Sequence, residues 1–357
     1  MTLAEPHTLW YARPAARAWT TAPAPAEVRS FHAALPEYAP TPLTELPSLA
    51  VELGVGRVFV KDESARLGLP AFKALGASWA VHRVLAGRAY GERVELVTAT
   101  DGNHGRAVAR IARRLGHGAQ VFVSGGVHPG AAAAIEGEGA RVTRVDGDYD
   151  LAVREAAAAA REPHTVLVQD TAWPGYEEVP ALIVEGYSTL FAEIDDQLAA
   201  VGAGAPDLVA VPVGVGSLAQ AAVTHYRSRP AGTRPSALLA VEPTAAAPAL
   251  ASLTRGESVT VTTGETTMAG LNCGTLSSLA WPLLRDGLDA AVAVTDAEAG
   301  VAARDLGGLG VSSGPCGAAG LAGVRVVLGR GLLGVGAHAT VVLLSTEGVE
   351  ANPHGAG

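Results

Sequence analysis

The sequence predicts an α/β chain built on mostly parallel sheets. Three observations carry this: strand-like and helix-like runs alternate from Val94 to Gln169, glycines fall where the helices should stop, and apolar residues far outnumber charged ones. Over 357 residues, 48% hydrophobic content against 17% charged leaves ample material for a large core or two domains. Alternating strand and helix implies parallel strands joined by crossover helices.

Taken in order, residues 12–27 are rich in Ala, Pro and Thr and read as an irregular arm. Tyr38-Ala-Pro-Thr-Pro-Leu43 holds the chain extended, because a residue before proline avoids the helical region. Val58-Phe-Val60 is strand-like, and Ala74 to Leu85 carries apolar residues at helical spacing. The regular block then runs strand Val94–Thr98, helix Arg106–Leu115, strand Ala119–Val123, helix Ala131–Glu138, strand Arg141–Val145, helix Leu151–Arg161, strand Thr165–Gln169. Gly116, Gly118, Gly137 and Gly139 mark helix ends. A second α/β stretch spans Leu208–Glu242 and resumes at Leu288–Glu347, and between them Thr254–Trp281 reads as loops over a site. No repeat of solenoid length occurs.

Charge and composition exclude several function classes. The formal net charge is −9 with no basic stripe, so nucleic acid is not an expected partner. Met1 to Pro14 lack a basic stretch followed by an apolar core, and no apolar run approaches the roughly 20 residues that span a bilayer. A cytoplasmic protein without membrane contact is expected. The two cysteines, Cys273 and Cys316, form no CxxC pair and sit near no His pair, so no metal site is expected and both are read as buried thiols.

Five segments carry chemistry. Ala99-Thr100-Asp101-Gly102-Asn103-His104-Gly105 stands where a strand hands over to a helix N-terminus, a natural place for an anion. Lys73 lies in Ala71-Phe72-Lys73-Ala74-Leu75-Gly76, an apolar setting that favours a neutral, nucleophilic amine and distinguishes it from nearby Lys61. Gly214-Val215-Gly216-Ser217-Leu218 is a glycine-rich turn between strand and helix; alone it is as often an ordinary turn, and it lacks the Gly-Lys-Ser/Thr ending of a nucleotide loop. Thr340 to Gly348 reads as a buried strand ending in two hydroxyls, Ser345 and Thr346, for which a capped turn is the plain alternative. Asp170 ends a further strand, where open α/β sheets place ligands, and an aspartate capping the turn at Pro174-Gly175 is its equally weighted alternative.

The lysine segment, the asparagine loop and the glycine turn, in that order, resemble fold-type II pyridoxal-phosphate enzymes, the threonine dehydratase and tryptophan synthase β group. Within that group, Gln169-Asp-Thr-Ala-Trp-Pro-Gly-Tyr176, Thr267-Met-Ala-Gly-Leu-Asn-Cys273 and Ser313-Gly-Pro-Cys316 resemble the diaminopropionate ammonia-lyases, the similarity running from about Tyr38 to Gly348. The resemblance implies two open, twisted, mostly parallel sheets with pyridoxal 5'-phosphate between two domains. These would be a discontinuous large cofactor-binding domain, 1–90 and 188–357, and a smaller domain, 91–187, carrying the asparagine loop. It implies a Schiff base at Lys73 and cofactor contacts from Phe72, Asn103, Gly214, Val215, Gly216, Ser217, Leu218, Ser345 and Thr346. The substrate carboxylate would meet Thr100, Asp101, Gly102 and His104, with Lys73, Asp101 and Asp170 moving protons, and the enzyme would be a homodimer.

Many relatives carry serine where this chain has Asp101. A carboxylate beside the substrate carboxylate and the cofactor phosphate is costly unless a cation joins it, and a second substrate amine supplies that cation. The expected reaction is therefore elimination of ammonia from 2,3-diaminopropionate or a close diamino acid, giving pyruvate and ammonia. The alternatives are β-replacement or serine/threonine dehydration on the same fold and, from another class, a non-catalytic cofactor-binding regulator. Two departures bear on the substrate: a short stretch from Lys73 to Asp101, and Ser312 where a glutamate is expected.

Overall fold

The computed structural model describes residues 9–88, 92–100, 102–229 and 234–351. The chain begins with β1 (Trp10–Ala12), α1 (Glu27–Ala33), β2 (Leu43–Glu45), α2 (Pro47–Leu53), β3 (Arg57–Asp62) and α3 (Lys73–Leu85). A regular block follows: β4 (Glu95–Ala99), α4 (Asn103–Leu115), β5 (Gly118–Ser124), α5 (Pro129–Gly137), β6 (Arg141–Val145), α6 (Tyr149–Ala159) and β7 (Thr165–Leu167). Helices α7 (Glu178–Gly186) and α8 (Ser188–Ala200) lead to β8 (Leu208–Pro212), α9 (Ser217–Arg227), β9 (Ala237–Pro243) and α10 (Pro248–Arg255). The last third holds α11 (Ala280–Gly287), β10 (Ala290–Val294), α12 (Asp296–Gly308), α13 (Pro315–Gly329) and β11 (Thr340–Ser345).

These strands form two sheets. One has seven strands in the order β1-β10-β9-β8-β11-β3-β2, parallel within and antiparallel only at its two outermost pairs. The other has four parallel strands, β6-β5-β4-β7. In each sheet the strand order reverses once, between β8 and β11 in the larger and between β4 and β7 in the smaller. Ligands of open α/β sheets bind at the carboxyl ends of strands flanking such a reversal. All four of those ends carry a segment singled out in the sequence: the asparagine loop after β4, Asp170 after β7, the glycine turn after β8, and the hydroxyls Ser345 and Thr346 at the end of β11.

The predicted block is recovered with shifted edges. Arg141–Val145 is β6 as expected, whereas α4 starts at Asn103, three residues before the predicted start at Arg106. The early start is possible because Gly105 carries no side chain: a Cβ there would lie 2.4 Å from the Thr100 methyl and 2.7 Å from Val121. Asn103 and His104 therefore sit in the first helical turn and are aimed by it. Trp10–Ala12, at the start of the expected irregular arm, adds an edge strand on β10.

Two further features brace the interior. Where α3 crosses α7, Gly76 faces Gly186: a Cβ on Gly76 would lie 2.7 Å from the Ile183 carbonyl oxygen, and one on Gly186 2.7 Å from that of Leu75. Behind α3, Lys61, Glu63, Arg66 and Glu193 form a buried network of two cations and two carboxylates. Lys61 gives its three protons to Glu193 Oε2 (2.6 Å), the Thr41 carbonyl (2.7 Å) and Gln197 Oε1 (2.8 Å), so its charge is fully engaged in holding the fold. No helix among the described residues is long and apolar enough to cross a membrane.

Candidate active site

The strand ends and the start of α3 enclose a cavity of about 530 Å3. Phe72, Lys73, Thr100, Gly102, Asn103, His104, Asp170 and the whole turn Gly214 to Leu218 line it, together with Thr346. Asp101 lies outside the described residues. Ser345 is fully buried and does not line the cavity; its Oγ donates to Ser313 Oγ at 2.8 Å.

Lys73 opens α3, and its segment is stitched to the end of β11 by backbone bonds from Phe72 N to Thr346 O (3.1 Å) and Gly348 N to Pro70 O (2.9 Å). Its ammonium donates to Asp170 Oδ2 at 2.5 Å and lies 5.2 Å from the centre of the Phe72 ring. The sequence suggested a neutral amine in apolar surroundings. Burial does push the amine that way, but the Asp170 carboxylate outweighs it and holds Lys73 above its ordinary value, so the cofactor-free amine is charged. Asp170 responds in the opposite sense: burial would raise it, yet the Lys73 ammonium brings it down to about 2.

His104, in the first turn of α4, sits under this pair. Its Nε2–H donates to the Val168 carbonyl at 2.7 Å, which turns Nδ1 toward Asp170 Oδ2 at 3.9 Å without a hydrogen bond. Burial, with Lys73 nearby, lowers its pKa and keeps the ring neutral. Asp170 is anchored from behind, since Ser217 Oγ donates to its main-chain oxygen at 2.7 Å. That bond joins the end of β7 to the first residue of α9.

The glycine turn has the shape an anion needs. Gly216 has φ of +94°, and a Cβ on it would lie 3.0 Å from Ala280 and Leu284 side-chain atoms. Glycine alone relieves both the strain and the crowding. The turn delivers the chain into α9, whose N-terminus has no side-chain cap and opens on the cavity. A reactive amine at one end and uncapped helical N–H groups at the other fit an aldehyde that carries a phosphate.

The match with known sequences decides what that compound is. The family described as pyridoxal-phosphate dependent enzyme matches residues 34–347. The chain belongs to this family. It is a fold-type II member and an enzyme of the lyase class, with pyridoxal phosphate as its cofactor. It is 38% identical over 292 residues to the diaminopropionate ammonia-lyase of Salmonella typhimurium, an alignment covering 76% of this chain and 72% of the relative. Against the enzyme of the same name from Escherichia coli K12 it is 34% identical over 348 residues, 90% of this chain and 87% of the relative. The crystal structure of Escherichia coli diaminopropionate ammonia-lyase with an aminoacrylate–pyridoxal-phosphate azomethine intermediate superposes with a TM-score of 0.87 at 31% identity. That superposition covers 97% of this chain and 95% of the other.

Some residues of this family member's site were missed in the sequence. Glu347 and both cysteines line the cavity. Glu347 accepts from Asn103 Nδ2 at 2.7 Å across 244 residues of chain, and burial pushes its carboxyl up from its ordinary value. An acid directly after the two strand-end hydroxyls was the available signal. Ser312, by contrast, is exposed and lies outside the cavity lining.

Proposed function

We propose that this protein eliminates ammonia from 2,3-diaminopropionate, giving pyruvate and a second ammonia after hydrolysis. The observation that carries the reading is the buried Lys73–Asp170 pair at 2.5 Å, two proton-exchanging groups beside a cavity lined by the asparagine loop and the glycine turn. Relatives and structural neighbours named diaminopropionate ammonia-lyase support it.

Bound pyridoxal phosphate supplies an electron sink conjugated with the substrate's Cα. Lys73 would hold it, with Gly214 to Leu218 and the α9 N-terminus binding its phosphate, Asn103 and Phe72 contacting its ring, and Ser345 or Thr346 bonding its ring nitrogen. Thr100, Asp101, Gly102 and His104 are the substrate side of the site. Lys73 Nζ or Asp170 Oδ2 takes the Cα proton. Asp101 pairs with the second ammonium, takes one proton from it and returns that proton as the Cβ–N bond breaks, so that the nitrogen leaves as ammonia, each such role being worth about 10²–10⁴ in rate. His104 stays neutral beside Asp170, to which it makes no hydrogen bond. Water then replaces the remaining nitrogen, so one diaminopropionate and one water yield one pyruvate and two ammonia.

The test is a parallel assay of 2-oxo acid release from diaminopropionate, serine, threonine and cysteine. Pyruvate formed fastest from diaminopropionate supports the reading; a preference for serine or threonine overturns it in favour of a dehydratase. Lys73→Ala should abolish turnover and leave no cofactor on the protein after borohydride reduction.

The same reading makes the enzyme a cytoplasmic homodimer, in which residues 1–90 and 188–357 form the larger cofactor-binding domain and 91–187 the smaller. Sedimentation at a mass near 72 kDa, about twice the 36.1 kDa chain, checks the first point. Limited proteolysis at the domain junctions checks the second.

A further inference from the structure

The mechanism leaves one buried acid of the cavity without a task. Glu347 is 3% exposed, and its backbone is immobilised on two sides: its carbonyl accepts from Gly314 N at 3.0 Å, and it bridges Ala71 in the lysine segment. The carboxyl has room only because position 314 is glycine, where a Cβ would lie 3.0 Å from Glu347 Oε1. Oε2 accepts from Asn103 Nδ2 at 2.7 Å, and the carboxyl also lies against Cys316. A carboxylate oxygen only accepts, so Asn103 must present its NH2 end to Glu347. This fixes which face of the amide remains for the cavity. The bond also ties α4 of the smaller sheet to the end of β11 in the larger one, across the cleft.

We infer that Glu347 is a positioning residue for the cofactor: by accepting from Asn103 it sets the orientation of the amide that meets the cofactor ring and holds the two sides of the cleft in register. The inference rests on the cofactor-contacting role of Asn103 in the reading above, and on nothing about the substrate. A purely structural acid would hold the fold and leave the bound cofactor's spectrum alone. A positioning acid would not.

The experiment uses the cofactor-loaded enzyme. Glu347→Gln replaces the accept-only group with an amide that can also donate, which frees Asn103 to turn over. The expected result is a shifted absorbance maximum of the bound cofactor and cofactor release faster by about tenfold, the loss of one charge-assisted hydrogen bond. Glu347→Asp, which keeps the accept-only chemistry, should recover part of both. Asn103→Ala should reproduce the spectral change, and adding Glu347→Gln to it should cause no further change, because the two act as one unit. An unshifted spectrum with release altered less than about twofold, or effects that simply add to those of Asn103→Ala, would overturn the inference. So would failure of both Glu347 variants to fold, which would make the residue a structural clamp. Because the readout is the cofactor and not turnover, a wild-type enzyme inactive on diaminopropionate would unseat the substrate reading and leave this test standing.

Discussion

Lys73 and Asp170 are 97 residues apart in the chain and 2.5 Å apart at the site, and each controls the other's charge. Asp170 ionises at about 2 against an ordinary 3.8, so the pair's contribution from this group is present above about pH 4 and fades as pH falls toward 2. Lys73 is raised above 10.5, so its contribution holds below that value and is lost only as pH climbs beyond it. Attack on the cofactor's aldehyde needs the neutral amine, which the Asp170 carboxylate opposes. Asp170→Asn removes that opposition and leaves burial to lower the amine. In this variant, cofactor capture followed by absorbance should reach half its maximal rate at a lower pH than in the wild type. An unchanged profile would mean Asp170 does not set the amine's charge. Lys73 itself was legible from its neighbours Phe72 and Ala74. Its protonation was not, because the deciding group arrives from another sheet.

At the scale of elements, the glycines separate what a pattern predicts from what packing requires. Gly116 and Gly139 could be read as helix ends from sequence, and both have left-handed φ. Gly76 and Gly186 could not, since each lies within a helix and its need arises only where α3 meets α7. Gly76→Ala should cost about 1–3 kcal/mol, because the new methyl meets the Ile183 carbonyl, which is backbone and cannot turn aside. Denaturant unfolding checks this. Loss of stability without loss of cofactor would show that the crossing supports the fold and does not aim Lys73. Gly216→Ala should behave differently. Strain at φ +94° costs about 1–3 kcal/mol, and reshaping the turn should also weaken cofactor binding, measured by fluorescence titration.

Over the whole molecule, the network of Lys61, Glu63, Arg66 and Glu193 explains why two lysines twelve residues apart have different fates. Lys61 points from β3 into a dry interior and is neutralised there; Lys73 opens a helix at the rim of a cavity. Lys61→Met leaves a carboxylate uncompensated and should destabilise the protein by about 3–5 kcal/mol, as breaking a buried pair does. Cofactor affinity should stay unchanged, as thermal unfolding and cofactor titration on the same sample would show. A variant that lost the cofactor while keeping its stability would reverse the assignment.

By itself the sequence determined the alternation of strands and helices, and with it the parallel sheets, because side-chain periodicity and turn-forming glycines are local properties of the chain. It also determined the order in which the lysine, the asparagine loop, the glycine turn and the strand-end hydroxyls appear. Only the tertiary structure decided which of them meet. The strand order reverses at β4/β7 and at β8/β11, and that brings Asp170 to Lys73, Ser217 to Asp170 and Glu347 to Asn103. Charge state, amide orientation and the missed acid Glu347 all depend on partners 97 to 244 residues away. Ion pairing and hydrogen bonding act over a few ångströms of space, whatever the separation along the chain.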